Sequence, residues 1–220
     1  MKQDKIIINL GRQFASGGRE IAKKLCEEFG CRYCDKEILD MAAKESGFSP
    51  SFFKHNDEKK SFFKVLSNLQ SPLASANNIY GSRFSEDSLF HFQCDAIKKA
   101  ADTESCLFIG RCADYVLRDR PDTINIFITA NLDDRIRRTQ ARLNVDKDEA
   151  LKIINKKDSS RASYYNYYTG KRWGAAESYD LCINSSLLGI DETVAFLTEY
   201  IKARSNNYSS TPRPLAPTSK

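Results

Sequence analysis

The sequence predicts an α/β domain in which a five-stranded parallel sheet is covered by helices on both faces. Short β-branched apolar runs alternate along the chain with longer segments of helical spacing, which favours crossover connections between parallel strands. The strand runs are apolar throughout, as expected for strands buried on both faces. The chain has 220 residues, a length that fits one α/β domain carrying an insertion.

The first three elements are a strand, a loop and a helix. Ile6–Leu10 is a β-branched run that ends at a glycine. In the segment that follows, apolar residues from Ile21 to Phe29 recur at helical spacing, and Gly30 supplies the C-terminal stop. We therefore expect Gly11–Glu20 to connect a buried strand to the N-terminus of a helix.

Four further strands are predicted by short apolar runs between helices. They are Cys31–Cys34, Cys106–Gly110, Thr123–Thr129 and Leu181–Asn184. The helices that separate or follow them are expected at Lys36–Ser46 (with Asp35 as N-cap), Ser88–Ala101, Asp114–Leu117, Leu132–Leu143, Asp148–Lys156 and Asp191–Ala203.

The predicted domain spans residues 1–204 and includes two special segments. Residues 48–88 have a loose helical pattern interrupted by Pro72 and Gly81, which indicates a mobile helical insertion. Residues 157–176 are expected to form a lid. Residues 205–220 are rich in Ser, Pro and Asn, a composition typical of a disordered tail.

Composition excludes several functional classes. The apolar runs are too short to span a bilayer and the N-terminus has no signal-peptide core, so we expect a cytoplasmic protein with no membrane partner. Seven cysteines form no secreted framework, and Cys31 and Cys34 make a lone CxxC without a second ligand pair, which disfavours zinc. The net charge of +5 suits polyphosphates, and no motif supports nucleic-acid binding.

The segment Gly11–Glu20 is the candidate phosphate site. Backbone N–H groups in such a turn, together with the helix N-terminus, attract phosphate oxygens, and small residues let the anion approach the backbone. The alternative is a plain turn that uses glycine only for geometry. We assign phosphate or ATP binding to Gly11, Arg12, Gln13, Ala15, Ser16, Gly17, Gly18, Arg19 and Glu20.

The side chains of this loop differ from the standard phosphate-binding loop, G-x-x-x-x-G-K-[ST]. If Gly17 takes the place of the last glycine, then Gly18 stands at the lysine position and Arg19 at the hydroxyl position. The lysine normally neutralises the β- and γ-phosphates, and the hydroxyl holds magnesium. The backbone cradle is therefore predicted, but the usual catalytic side chains are missing.

Four stretches in this order resemble the cytidylate-kinase-like family of P-loop nucleoside monophosphate kinases, over residues 5–203. They are Gly11–Leu25, Tyr33–Glu37, Phe108–Asp114 (Phe-Ile-Gly-Arg-Cys-Ala-Asp), and the segment from Lys156 through Arg161, Tyr164 and Trp173 to Asn184. The resemblance implies phosphoryl transfer from ATP to a nucleoside monophosphate with magnesium. It also implies a five-stranded parallel sheet, an acceptor-binding insertion and a lid that excludes water.

The resemblance also assigns roles to individual residues. Arg111 matches an acceptor-binding arginine. Arg161 matches a lid arginine that stabilises charge on the transferring phosphoryl group, and it is also assigned to acceptor binding. Asp35 and Asp114 match the acceptor side, although either is equally well explained as a helix cap, and Asp114 also as a partner that orients Arg111. Arg12 is the third candidate for the catalytic set. The alternatives for the arginines are surface ion pairs or a solvated basic face.

Two positions depart from the family pattern, and they leave activity open. Ile109 and Cys112 stand where the family has acids before and after Gly-Arg. With these acids and the lysine–hydroxyl pair absent, the metal ligands are not identifiable. The alternatives are that Arg12, Arg19 or a lid cation substitutes for the missing charge, and that Glu20 or Asp35 recruits magnesium. Three alternatives therefore stay beside the nucleotide kinase: a kinase of another small metabolite, a nucleotide- or phosphate-binding module without transfer, and a nucleic-acid binder.

A basic helix and a run of aromatic residues complete the candidates. Arg135, Arg137 and Arg138 cannot all face one ligand on the helix Leu132–Leu143, and we expect most of them to be solvated. The tyrosines from Tyr164 to Tyr168, with Trp173, are expected to pack the lid hinge rather than to stack on a base.

Overall fold

The structure is a computed structural model that describes residues 5–35 and 86–208. Side chains are described for residues 5–35 and 89–206. The chain divides into two compact units, and each is described by itself. The first comprises Met1–Cys34 with Ala100–Lys220, and the second comprises Asp35–Lys99. The predicted helix Lys36–Ser46 lies outside the described residues, as does most of the predicted insertion.

The first unit is built on one sheet of five parallel strands in the order β2-β3-β1-β4-β5. The strands are β1 (Ile7–Arg12), β2 (Arg32–Cys34), β3 (Cys106–Ile109), β4 (Thr123–Thr129) and β5 (Leu181–Asn184). β1 lies in the centre, where Ile7 pairs with Cys106 on one side and with Thr123 on the other. The predicted fold class, an α/β domain on a five-stranded parallel sheet, is confirmed.

The carboxyl ends of the strands lie at one edge of this sheet because all five are parallel. The loop after β1 is therefore flanked by the segments that follow β3 and β4. Ligands of open parallel sheets bind outside this edge. The register thus brings the segments that follow Arg12, Ile109 and Thr129 into one region.

The helices of the described residues run in both units. They are α1 (Gly18–Phe29), α2 (Glu86–Thr103), α3 (Ala113–Val116), α4 (Leu132–Leu143), α5 (Lys147–Thr169) and α6 (Ser185–Tyr208), with a 3₁₀ turn at Ala176–Ser178. α2 begins in the second unit and ends in the first. No helix among the described residues is both long and apolar enough to cross a membrane.

The main core packs α1 and α6 against one face of the sheet. Strand residues such as Ile8 and Leu10 contact helix residues such as Leu25 and Leu197, all of them buried. Because side chains alternate across a strand, Ile8 and Leu10 share this face while Asn9 points to the other. Because α1 and β1 pack in the same core, the two ends of the loop that joins them are held in place.

Two helices, α5 and α6, extend more than two residues beyond their predicted ends, and α2 extends two residues beyond each of its own. α5 runs from Lys147 to Thr169, so the first part of the segment expected to be a lid is helical. The helix is capped at its C-terminus by Gly170 in a left-handed conformation. α6 kinks at Gly189 and reaches Tyr208, so residues 205–208 of the predicted disordered tail are helical. Residues 209–220 lie outside the described part of the chain.

Candidate functional site

The loop after β1 is compact and contains two left-handed residues. Ala15 has φ 59° and Gly17 has φ 82°, so the backbone turns back on itself twice before α1 begins. The N–H of Gln13 donates to the carbonyl of Ile128 on β4 at 3.0 Å, and the N–H groups of Glu20 and Ile21 donate to Gly17. The loop is therefore anchored at both ends, by the sheet and by the first turn of α1.

Three backbone donors of this loop have no acceptor among the described residues. Within the described residues, the N–H groups of Ala15, Gly17 and Gly18 make no hydrogen bond. Their position at the N-terminus of a helix adds the partial positive charge of the helix dipole. Donors of this kind at a helix N-terminus bind phosphate oxygens, so the backbone has what the phosphate assignment requires.

Two helices hold the loop through Phe14. Its N–H donates to Oδ1 of Asp158 on α5 at 2.7 Å, and its carbonyl accepts from Nε of Arg135 on α4 at 2.8 Å. Arg135 also forms a salt bridge with Oδ2 of Asp158. We call these three residues the Phe14 clamp. Its closed arrangement satisfies both backbone groups of Phe14 and fixes the loop conformation.

Two further arginines donate to carbonyls of the loop. Arg138 NH1 lies 3.2 Å from the carbonyl of Ala15, and Arg161 NH1 lies 3.5 Å from the carbonyl of Arg12. The guanidinium of Arg161 also lies 5.6 Å from the Phe14 ring centroid. Positive charge from α4 and α5 therefore lies beside the backbone donors, where an anion would be stabilised.

The prediction that most of the α4 arginines are solvated was wrong. Arg137 is exposed and pairs with Asp134, but Arg135 is 6% exposed and Arg138 contacts the loop. Positions 135 and 138 are one turn apart and face the same side of the helix. The sequence showed this shared face, but the loop backbone that accepts from it became visible only in three dimensions.

The turn after β3 has an uncommon backbone. Gly110, Arg111 and Cys112 have φ of 67°, 60° and 56°, three consecutive left-handed residues of which two are not glycine. Left-handed backbone is unfavourable for such side chains and is found at functional sites. It places the predicted Arg111 immediately after the carboxyl end of β3, as expected from the sequence.

Asp114 begins a polar contact between this turn and α5. Its Oδ2 accepts a hydrogen bond from the Tyr165 hydroxyl at 2.7 Å. Loss of hydration raises the pKa of Asp114, although the Tyr165 hydroxyl opposes the shift. Burial and the Asp114 charge raise the pKa of Tyr165, which keeps its hydroxyl protonated as the donor. The carboxylate thus fastens α5 to the turn that carries Arg111.

The remaining predicted residues occupy different surroundings. Arg19 and Glu20 are exposed on the first turn of α1, and Gly11 leaves room for the ring of Phe127, 2.6 Å from where a Cβ would stand. The side chain of Gln13 accepts from the N–H of Ala130 at 3.3 Å. Asp35 is buried but belongs to the second unit.

Ser16 and the aromatic residues have structural partners. Ser16 is buried, and its carbonyl accepts from the hydroxyl of Ser185 at 2.6 Å. Trp173 packs edge-on against Phe127 of β4 at 5.3 Å, and Tyr164 lies 4.8 Å from Tyr168. These contacts show the aromatic residues packing against protein rings.

Sequence reasoning missed Asp158 and Arg135 as site residues. Asp158 lies one helical turn before Arg161, so both face the same way, and this spacing was the available signal. The described part of the chain contains no cluster of three His, Cys, Asp or Glu residues that could hold a metal. Cys31 and Cys34 are both buried free thiols.

Matches to known proteins cover most of this chain. The model of the cytidylate kinase-like family matches residues 7–187. A cytidylate kinase of Methanocaldococcus jannaschii is 25% identical over 186 residues, covering 82% of this chain and 89% of the relative. The crystal structure of an uncharacterized protein from Eubacterium ventriosum superposes with TM-score 0.69 at 29% identity, covering 90% of this chain and 99% of the other.

A more distant solved structure shares the fold alone. Shikimate kinase from Bacteroides thetaiotaomicron superposes with TM-score 0.51 at 13% identity, covering 90% of this chain and 98% of its own. This likeness agrees with the α/β fold on a five-stranded parallel sheet.

Proposed function

The chain belongs to the cytidylate kinase-like family, and we propose that it transfers the γ-phosphoryl group of ATP to a nucleoside monophosphate. The observation that carries the proposal is the loop between β1 and α1. Within the described residues its Ala15, Gly17 and Gly18 N–H groups have no acceptor, and Arg161 donates to its backbone at 3.5 Å.

In the proposed reaction a phosphate oxygen of the acceptor attacks the γ-phosphorus of ATP. The bond between that phosphorus and the β–γ bridging oxygen breaks, and ADP leaves with the electron pair. Negative charge is spread over the transferring group, so catalysis consists mainly of positioning and charge stabilisation. The loop amides would bind the phosphates of ATP, and Arg161 would stabilise the transferring group.

The acceptor would lie toward the turn after β3. Arg111 stands there on a left-handed backbone, and a guanidinium can hold a monophosphate with two parallel hydrogen bonds. Asp114 would keep this turn in place through Tyr165 on α5. Asp35 keeps its predicted acceptor role as part of the proposal. A cytidine monophosphate is the first acceptor to test because the curated relative is a cytidylate kinase.

Magnesium would enter with ATP. Magnesium at kinase sites keeps several waters and is held by substrate phosphates with only one or two carboxylates. The described residues contain no cluster of three His, Cys, Asp or Glu residues that could hold a metal, so the phosphates of ATP and water would supply most of the magnesium ligands. Bound magnesium would neutralise phosphate charge, beside the loop amides and arginines. The sequence-based expectation of a cytoplasmic, nucleotide-binding enzyme is kept as part of the proposal.

The test is a panel assay with the purified chain. ADP formation is measured with ATP, magnesium and CMP, dCMP, UMP, AMP or GMP in turn. We expect acceptor-dependent ADP with a cytidine nucleotide. We also expect that Arg161→Ala lowers kcat by at least about a hundredfold, the scale at which one charge-stabilising donor acts.

A matched control separates the Arg161 effect from a general loss of positive charge. Arg137→Ala removes an exposed arginine of α4 that pairs with Asp134, and it should leave kcat within a factor of two. If none of the five monophosphates gives acceptor-dependent ADP, the nucleoside monophosphate assignment is rejected. Turnover that is unaffected in Arg161→Ala would instead reject the role of this residue.

A further inference from the structure

Gly18 is a glycine for reasons of space. Its φ is not positive, in contrast to Gly17 at 82°, Gly30 at 58° and Gly110 at 67°, so the backbone there would accept any side chain. Glycine is the poorest helix former after proline, by about 1 kcal/mol relative to alanine in a helix interior. Neither conformation nor helix propensity therefore explains a glycine at the first residue of α1.

The space at Gly18 is taken by the side chain of Arg12. A Cβ added to Gly18 would lie 2.7 Å from Cβ and 3.1 Å from Cγ of Arg12. These atoms are the base of the arginine side chain, which cannot swing away without moving the backbone. A side chain at position 18 and the present course of Arg12 therefore exclude each other.

The guanidinium end of Arg12 lies beside a second glycine. A Cβ added to Gly110 would lie 2.6 Å from NH1 of Arg12. The guanidinium therefore lies against the turn after β3, while its stem passes the start of α1. Arg12 thus extends from the candidate ATP-binding loop toward the turn that carries Arg111, the region between the two proposed substrates.

We propose that Arg12 replaces the lysine that standard phosphate-binding loops carry at the position of Gly18. In this arrangement the cation comes from the end of β1, and the glycine at position 18 admits its stem. The ligand is the β- and γ-phosphates of a nucleoside triphosphate, so the inference rests on the proposed function and names the group that binds its polyphosphate. A guanidinium stays protonated and can hold two phosphate oxygens at once.

The other two arginines of the site extend from helices, whereas Arg12 extends from a strand. Arg138 and Arg161 come from α4 and α5 and donate to carbonyls of the loop. Arg12 is part of β1 itself, and its stem occupies the volume that a lysine at position 18 would need. This mutual exclusion is specific enough to be tested by exchanging the two positions.

The first experiment measures the dissociation constants of ATP and of inorganic tripolyphosphate by isothermal titration calorimetry. Arg12→Gln keeps the stem and removes the charge, and we expect it to weaken both ligands by about 10- to 100-fold. That range corresponds to the loss of one charge-assisted hydrogen-bonding group. Arg12→Lys should stay within about threefold of the wild type. If R12Q binds both ligands as the wild type does, the proposal is overturned.

The second experiment exchanges the residues. Arg12→Gly removes the Cβ that blocks position 18, so R12G/G18K has room for a lysine, and R12G/G18A is the matched variant without the charge. We expect R12G/G18K to bind tripolyphosphate at least about tenfold more tightly than R12G/G18A. Gly18→Lys with Arg12 present should lower the melting temperature. Equal affinities in the two folded double variants would contradict the replacement.

These binding measurements separate the two proposals. No acceptor is present, so ATP binding that depends on Arg12 supports the inference even if the monophosphate panel gives no ADP. A wild-type chain that binds neither probe overturns it. If melting-temperature measurements show that the R12G variants are unfolded, the comparison of R12Q with R12K tests the proposal instead, because both variants retain the stem. Equal affinities of these two variants then overturn the proposal.

Discussion

The Phe14 clamp is the contact on which the candidate loop most depends. Arg135 and Asp158 have 7% and 17% of their side chains exposed, and together they satisfy both backbone groups of Phe14. Arg135→Ala would remove the closest charged partner of a largely buried carboxylate and leave Arg161 at 3.5 Å. We expect the free energy of unfolding to fall by about 3 kcal/mol, at the lower end for broken buried pairs. Urea denaturation of the variant measures it.

A double-mutant cycle shows whether this loss comes from the pair. In the background of Asp158→Asn, the cost of Arg135→Ala should shrink by at least about 1 kcal/mol, because the charge left unpaired is gone. Arg137→Ala, which removes an exposed arginine of the same helix, should change stability by less than about 0.5 kcal/mol. Additive effects of R135A and D158N would contradict the clamp.

Asp114 gives the molecule a pH-dependent contact. Loss of hydration raises its pKa above 3.8 in the folded state, so the native chain keeps this proton at a pH where the unfolded chain has lost it. Stability is therefore lost as the pH rises from about 3.8 through the raised pKa. Asp114→Asn cannot ionise and still accepts from Tyr165. Its stability relative to wild type should increase over that window and stay higher at pH 7.

The measurement for Asp114 is a series of denaturation curves from about pH 3.5 to about pH 7, chosen to bracket the shift. Asp119→Asn is the control, because Asp119 is 86% exposed and lies 3.8 Å from Arg118. The difference between D119N and wild type should not follow the D114N profile. A flat D114N difference across the series would show that the folded carboxyl is not destabilised by ionisation.

At the scale of elements, α5 is the helix that carries both Asp158 and Arg161. Its N-cap is Asp146, whose side chain accepts from the N–H of Glu149 at 2.8 Å. Asp146→Ala should lower the free energy of unfolding by about 1 kcal/mol. The cap is three turns from Asp158, so ATP affinity should change by less than about twofold. Asp148→Ala, in the same first turn, should cost under half as much.

Among the elements, the strands and α4 were those whose bounds were predicted best. Thr123–Thr129, Leu181–Asn184 and Leu132–Leu143 have the predicted limits, because buried strands read as apolar runs and an amphipathic helix shows its period. The end of α5 was missed because Lys157–Thr169 has few apolar residues to show a period. The Phe14 clamp joins residues far apart in the chain, and periodicity contains no information about such pairs.

The same limit applied to the site residues. Arg12, Arg111 and Arg161 were predicted from the order of motifs, and the structure puts them near the carboxyl edge of the sheet. Why Gly18 is a glycine was not readable, because the answer is the space filled by Arg12. A glycine in a turn can be predicted to allow an unusual backbone conformation. Which side chain packs against that glycine depends on the three-dimensional course of the loop.

At the scale of the whole molecule, ligand binding should appear as stability. A ligand present at 100 times its dissociation constant adds about 2.7 kcal/mol to the native state. For a chain of this size that is roughly a 5–11 °C rise in melting temperature. We expect ATP to give this rise and adenosine, which lacks the phosphates, to give none. The proposed phosphate site consists of the N–H groups of Ala15, Gly17 and Gly18, which have no acceptor within the described residues.

The same melting-temperature measurement can be repeated at different salt concentrations. The net charge of +5 and the arginines around the loop attract polyphosphate through a field that is screened over about 8 Å at physiological ionic strength. Raising the salt concentration should therefore reduce the rise caused by ATP at a fixed ATP concentration. An equal rise with adenosine would place the binding energy in the nucleoside and reject the loop as its source, since only phosphate oxygens can use its backbone donors.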